Sequence, residues 1–154
     1  MVTRIKDIDR GQKEMRRRIE LLKGSYTKVG IQAGSKERDG VTDLVTVAAA
    51  NEFGTNAIPQ RSFLRSTFDE EREKLAKLQA GEVLAVLEGR KTVETSLDLL
   101  GLYFVGRVQA KIHSHPPPPN APATIAAKKS SGTLVDSGQL VQSIRHVSVI
   151  QGSP

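Results

Sequence analysis

Several groupings in the chain hold residue types that could do chemistry. His113-Ser114-His115 sets two imidazoles two residues apart. That spacing brings both to one metal ion only where the backbone is extended, and no third ligand of suitable type lies nearby in sequence. Read plainly, it is a polar helix end whose histidines sit near the last carbonyls, where the helix dipole favours positive charge. Asp136-Ser137 with His146 supplies the residue types of a hydrolase triad, but no strand–elbow–helix setting such as G-x-S-x-G surrounds Ser137. The same residues make a turn in which Asp or Ser caps the helix starting at Gln139. Asp69, Glu70, Glu71 and Glu73 are acids by type. Helical spacing scatters them around a surface, which reads as solvated helix charge. The stretch "AGSKERDG" lacks the G-x-x-x-x-G-K-[ST] spacing of a phosphate-binding loop. No set converges, so the expectation is a noncatalytic protein with no cofactor and no metal.

The elements that must position these residues belong to a chain of 154 residues, which suits one α+β domain with a modest core. Aromatics are 4% and Trp is absent, so Val, Leu, Ile and Ala have to build that core, and assembly is expected to support it. Without Cys there are no disulfides, thiolate metal sites or thiol nucleophiles. No apolar stretch approaches a membrane span, and "MVTRIKDIDRGQKEM" lacks the apolar region of a signal peptide. The expectation is a soluble protein, made and kept in the cytoplasm, with no membrane partner. Net charge is +6, concentrated at both ends. Residues 1–24 carry eight Lys or Arg against four Asp or Glu, and residues 101–154 carry five against one. The densest run, Arg16-Arg17-Arg18, has no interleaved aromatics for base stacking and reads first as a solvated or interface-lining helix face, second as a phosphate contact.

Ile5, Ile8, Gln12, Met15, Ile19 and Leu22 recur at steps of three and four and predict a helix over about 5–23, closed by Gly24. Gly11 weakens its middle by about 1 kcal/mol relative to Ala. "YTKVGIQAG" predicts a short strand with Val29, Ile31 and Ala33 on one face, and Asp39-Gly40 turns the loop after it. "VTDLVTVAAANEFG" starts with strand character, but its Ala triplet favours a helix over 44–53, capped by Asp43 and followed by Gly54. An extended connection around Pro59 leads to a helix carrying Phe68, Glu71, Leu75 and Leu78 on one face, which Gly81 breaks or kinks and Gly89 ends. Thr92 caps a long helix whose stripe Val93, Leu97, Leu100, Phe104, Val108 and Ile112 marks it as the central core helix; it must stop before Pro116. Pro116, Pro117, Pro118 and Pro119 predict a stiff polyproline spacer in an extended arm or loop over about 114–134. "TIAAKKSSG" holds one helical turn and a flexible tip, Gln139–Ser143 a short helix, and 144–150 a strand with Val147 and Val149 on one face. That strand is expected to pair antiparallel with 26–33, giving a small sheet packed against long helices.

Against this frame, "VAAANEFGTNAIPQRSFLRSTFDE" resembles V-A-x-x-N-E-F-G-T-x-x-I-P-x-R-P-F-L-R, a segment of tailed-phage and prophage morphogenesis proteins. "NAPATIAAKKSSGTLVDSGQLVQSI" is similar to the closing motif of the same family, and "DLLGLYFVGRVQAKI" to its intervening helix. The match covers about residues 25–150, in the family's order, and points to the neck or tail-completion group, the minor tail protein Z-like proteins. The resemblance implies a structural, nonenzymatic protein of the virion head–tail junction, assembled in the bacterial host as a homo-oligomeric ring around the DNA channel. Its implied partners are head-closure or adaptor proteins on one side and tail terminator or tail-tube proteins on the other, with packaged DNA passing nearby without sequence-specific contact.

Residue by residue, the family's positions fall on Asn51, Glu52, Phe53, Gly54, Ile58, Pro59, Arg61, Phe63, Leu64, Arg65, Leu134, Asp136, Gly138, Leu140 and Ser143. Gly54 and Gly138 suit backbone angles that other residues avoid. Phe53, Phe63, Leu64, Leu134 and Leu140 would anchor loops to the core, while Arg61 and Arg65 would bridge to a neighbour's carboxylate or line the channel. Ser62 stands where the family commonly has Pro, and Ser137 replaces its usual Thr. In a ring, the proline run with Lys128 and Lys129 at its basic tip would serve as an arm docking on an adjacent protein; an ordinary surface loop is the alternative. Other readings of the whole chain are a tail terminator capping the tube, and a basic nucleic-acid-binding module using Arg16, Arg17, Arg18, Lys128 and Lys129.

Overall fold

A computed structural model describes residues 11–32, 34–35, 40–41, 43–129, 131–134 and 138–151. The elements run α1 (Gln12–Leu22), β1 (Tyr26–Ile31), α2 (Leu44–Phe53), α3 (Arg65–Leu87), α4 (Val93–His113), α5 (Pro122–Lys128), α6 (Gln139–Ser143) and β2 (Ile144–Val149). This is the expected α+β architecture. The two strands pair antiparallel from Tyr26↔Val149 to Ile31↔Ile144. A two-stranded sheet is marginal by itself. Here α4 supplies the missing layer, lying against both strands and backed on another side by α3.

The register fixes what each face of the sheet carries. Thr27, Val29 and Ile31 share the covered face with Ser148, His146 and Ile144, while Tyr26 and Lys28 share the outer face with Val149 and Val147. Val147 and Val149 do lie on one face, as their spacing predicts, but it is the outer one, and Val147 is 45% exposed. The strand turns His146 inward onto α4, where Gly101 makes room: a Cβ on Gly101 would lie 2.6 Å from the imidazole. Asp98 of α4 meets the same strand, its Oδ1 accepting from Ser148 Oγ at 2.7 Å and lying 3.4 Å from His146 Nε2. The core continues through Phe63, Val108, Ile112, Leu140 and Ile144, all buried. Leucine and valine at three-and-four spacing thus make α4 the central helix, as its stripe predicts.

Caps set several boundaries. Asp43 accepts from the amides of Val45 and Thr46 at the start of α2, and Thr92 from Thr95 at the start of α4. Gly24, with φ +71, follows the end of α1. Two expectations fail. Gly11, with φ +90, stands at the N-cap position of α1 rather than in mid-helix, because that backbone angle cannot continue a helix; Ile5 and Ile8 lie outside the described residues. Gly81 does not break α3, which runs uninterrupted from Arg65 to Leu87. A lone glycine costs about 1 kcal/mol in a helix, less than the packing of a 23-residue helix supplies. Among the described residues no helix is long and apolar enough to cross a membrane.

Candidate interaction site

The segment joining α2 to α3 is organised by a buried carboxylate. Glu52, 5% exposed, reaches from the last turn of α2 to the start of α3. Its Oε2 accepts from the amides of Phe63 at 2.8 Å and Leu64 at 2.9 Å. Its Oε1 accepts from the Arg65 amide at 3.1 Å, Ser62 Oγ at 2.8 Å and Arg65 Nε at 3.0 Å. Helix α3 has no capping side chain of its own at Leu64. Glu52 therefore satisfies its open amides from another helix and sets a negative charge against the positive end of its dipole. Burial acts to raise the Glu52 pKa, but the bonds from Leu64, Phe63, Ser62 and Arg65 outweigh it and hold the carboxyl below its usual value. The hydroxyl of Ser62 is one of these donors, so the departure from proline at this position adds a bond that proline lacks.

Gly54 enables the turn that follows. Its φ is +77, and a Cβ there would sit 3.1 Å from the amide nitrogen of Gln60. Thr55 then accepts from the amides of Ala57 and Ile58, and the Arg61 amide returns to the Asn51 carbonyl at 2.7 Å. The loop so formed buries Phe63 and leaves Leu64 half-buried, as expected of core anchors. Phe53 is no anchor: it is 64% exposed, and its ring carries the Arg65 guanidinium at 4.7 Å. Its side chain leaves α2 on the face opposite the core, where cation–π stacking takes the place of burial.

Arg61 is held within its own chain. It is 6% exposed, with Nε donating to the Pro118 carbonyl at 2.7 Å and Nη2 to the Pro119 carbonyl at 3.1 Å. Of the two expectations for the proline run, those bonds favour the ordinary loop over the free arm. Pro116 is buried, its carbonyl accepts from Thr133 Oγ1 at 3.0 Å, and Asn120 Nδ2 donates to the Gly132 carbonyl at 2.9 Å. The peptide between Pro117 and Pro118 is cis. The described residues of 114–134 thus form a loop fastened to the domain at Pro116, Pro118 and Pro119, with α5 within it. Lys129 ends α5 at φ +53 and is exposed; the Lys128 side chain lies outside the described residues.

Between the turn at 55–60, α2, the proline loop and the start of α6 lies a groove of about 440 Å³, lined in part by Asn51, Ile58, Arg61, Leu134, Gly138 and Leu140. The two sequence motifs, some seventy positions apart in their centres, meet there. Gly138 stands at the N-cap of α6 with φ +78, as its type predicts; Asp136 and Ser137 lie outside the described residues. His146, once a triad candidate with them, faces Asp98 instead.

The remaining candidates fall elsewhere. Arg18 is committed to its own chain, with Nη1 donating to the Leu87 carbonyl at 2.9 Å and Nε 3.3 Å from Glu14, whereas Arg16 and Arg17 are exposed. His113 ends α4, and His115 Nδ1 lies 3.4 Å from the Thr133 carbonyl oxygen. Glu71 overturns the reading of the α3 acids as solvated: it is 3% exposed, between Tyr103 Oη at 2.7 Å and Arg107 Nε at 2.8 Å. The hydrogen bond from Tyr103 lowers the Glu71 pKa, burial opposes it and Arg107 adds to the lowering, while the Tyr103 pKa is raised. Arg107 and Tyr103 stand one turn apart on α4, and that spacing was the signal available in the sequence. The chain matches no family model, no curated protein and no solved structure.

Proposed function

We propose that the protein is a structural subunit of the phage head–tail junction, a neck or tail-completion protein that forms a homo-oligomeric ring between the head-closure complex and the tail. The reading rests on the motif resemblance. The observation that carries it furthest is the convergence of the motifs: Asn51, Ile58 and Arg61 of one line the same groove as Leu134, Gly138 and Leu140 of the other, as expected of motifs that belong to one functional unit. Apolar surface left open on the subunit supports assembly as well. No residue of α1 is buried, and Met15 and Ile19 are 49% and 38% exposed. On α4, Leu99 and Leu102 are 40% and 57% exposed, and Phe68 on α3 is 50% exposed. Contiguous apolar surface marks interaction sites, and exposed apolar residues stand one turn apart on both α1 and α4.

Sedimentation of the purified protein across a concentration series tests the reading, together with co-purification against head-closure and tail-tube proteins. A discrete ring-sized oligomer, or a monomer captured by those partners, is the expected result. A monomer at every concentration that captures neither would refute it.

A further inference from the structure

Each buried charged group among the described residues has an opposite charge against it, with one exception. Glu52 faces Arg65, Glu71 faces Arg107 and Glu82 faces Lys91, at 3.0, 2.6 and 2.7 Å. Arg61 is as buried as these, at 6% exposed, yet among the described residues its guanidinium meets only the uncharged carbonyls of Pro118 and Pro119. A buried cation without a counter-ion is costly. The two carbonyls take Nε and Nη2 and so fix the plane of the guanidinium, while Nη1 donates to no described residue. Arg61 is among the residues that line the groove of about 440 Å³, whose walls mix Ile58, Leu134 and Leu140 with Asn51 and Asn120. An oriented guanidinium beside a groove is a carboxylate receptor, since its donors are already held in the geometry that a carboxylate accepts.

We infer that this groove docks an extended segment of a partner protein bearing an Asp or Glu side chain, with the carboxylate completing the charge of Arg61 and apolar neighbours of that residue filling the walls. Charge complementarity selects this occupant: an uncharged apolar segment would seal the cation away from water and leave it unpaired. The groove geometry stands apart from the ring reading, and the two fail separately, because a peptide site can exist on a monomer and a ring can form without it.

Full-length protein labelled with ¹⁵N is titrated with acetyl-Leu-Glu-Leu-Ala-amide and with the twin peptide carrying Gln for Glu, following the amides of Asn51, Ile58, Gly138 and Leu140. The Glu peptide is expected to bind about tenfold or more tighter than its twin. That preference should vanish in Arg61→Gln. It should vanish equally in Ala57→Glu, an exposed groove position whose change leaves the bonds from Arg61 to the prolines untouched. Equal affinities, or no saturable shift with either peptide, would overturn the inference. So would sodium acetate saturating the site as tightly as the peptide, which would make it an anion pocket and no docking groove. Binding that appears only in Asp136→Asn would give the site to the chain's own carboxylate, and a self-association abolished by Ala57→Glu would give it to a second copy; either result also overturns it.

Discussion

Glu52 shows how one side chain can hold a junction that local sequence rules do not foresee. Three consecutive amides, a serine hydroxyl and a guanidinium all donate to its carboxylate. Gln in its place keeps the shape but turns an amide donor toward donors and leaves Arg65 without its partner. Glu52→Gln should lower the unfolding free energy by roughly 2–4 kcal/mol near neutral pH. The pH dependence has a definite sign. The folded-state pKa is depressed, so the contribution is fully present above the unfolded carboxylate value of about 4.3 and is lost as pH falls through the folded value. Urea unfolding at a series of pH values should therefore show wild type and variant converging below about pH 4. A constant gap down to about pH 2 would mean that the charge of Glu52 contributes nothing. In the sequence Glu52 is legible only as a motif position, and Glu71 as one of several acids on a helix, one that shares a face with Phe68, Leu75 and Leu78. A helical wheel orients a residue about its own axis and says nothing of what the neighbouring helix brings, here Tyr103 and Arg107.

At the level of elements, the boundaries that could be read in advance are those set by a chemical stop or start: Asp43 and Gly54 around α2, Thr92 and Pro116 around α4, Gly24 after α1. Each acts through its own backbone or a side chain within three residues. The misjudged positions are glycines whose effect depends on context. Gly11 starts a helix that apolar spacing alone would begin earlier, and Gly81 is carried through α3 because the helix is held along its length by α4 and α1. Since Gly81 is helical and a Cβ there would meet nothing within 4 Å, glycine is a pure liability at that site in the subunit. Gly81→Ala should raise the unfolding free energy by about 0.5–1 kcal/mol through the smaller entropy of the unfolded chain and the better helix propensity. Chemical denaturation of the subunit measures it. A loss of stability instead would mean that the open space beside Gly81 is taken up by another molecule.

For the molecule as a whole, the order of elements and the pairing of the first strand with the last follow from periodicity and from proline and glycine punctuation. The return of the proline run onto the domain does not. Four prolines in sequence specify a stiff segment, but its destination is set by Arg61 and Thr133, each remote in sequence and neither proline-directed by type. The distinction has a measurable consequence. If residues 116–119 were a free arm, replacing them by Gly-Ser-Gly-Ser would leave the stability of the subunit unchanged, because the segment would be equally unconstrained in the folded and unfolded states. In the observed loop, the replacement removes the buried Pro116 ring and enlarges the unfolded ensemble, while the native position of the carbonyls must still be reached for Arg61 and Thr133 to be satisfied. The unfolding free energy of the subunit should fall by roughly 2–4 kcal/mol, and proteolytic cleavage within 114–134 should accelerate. An unaltered urea midpoint with only assembly impaired would restore the free arm, and with it a reach toward neighbouring subunits that the closed loop denies.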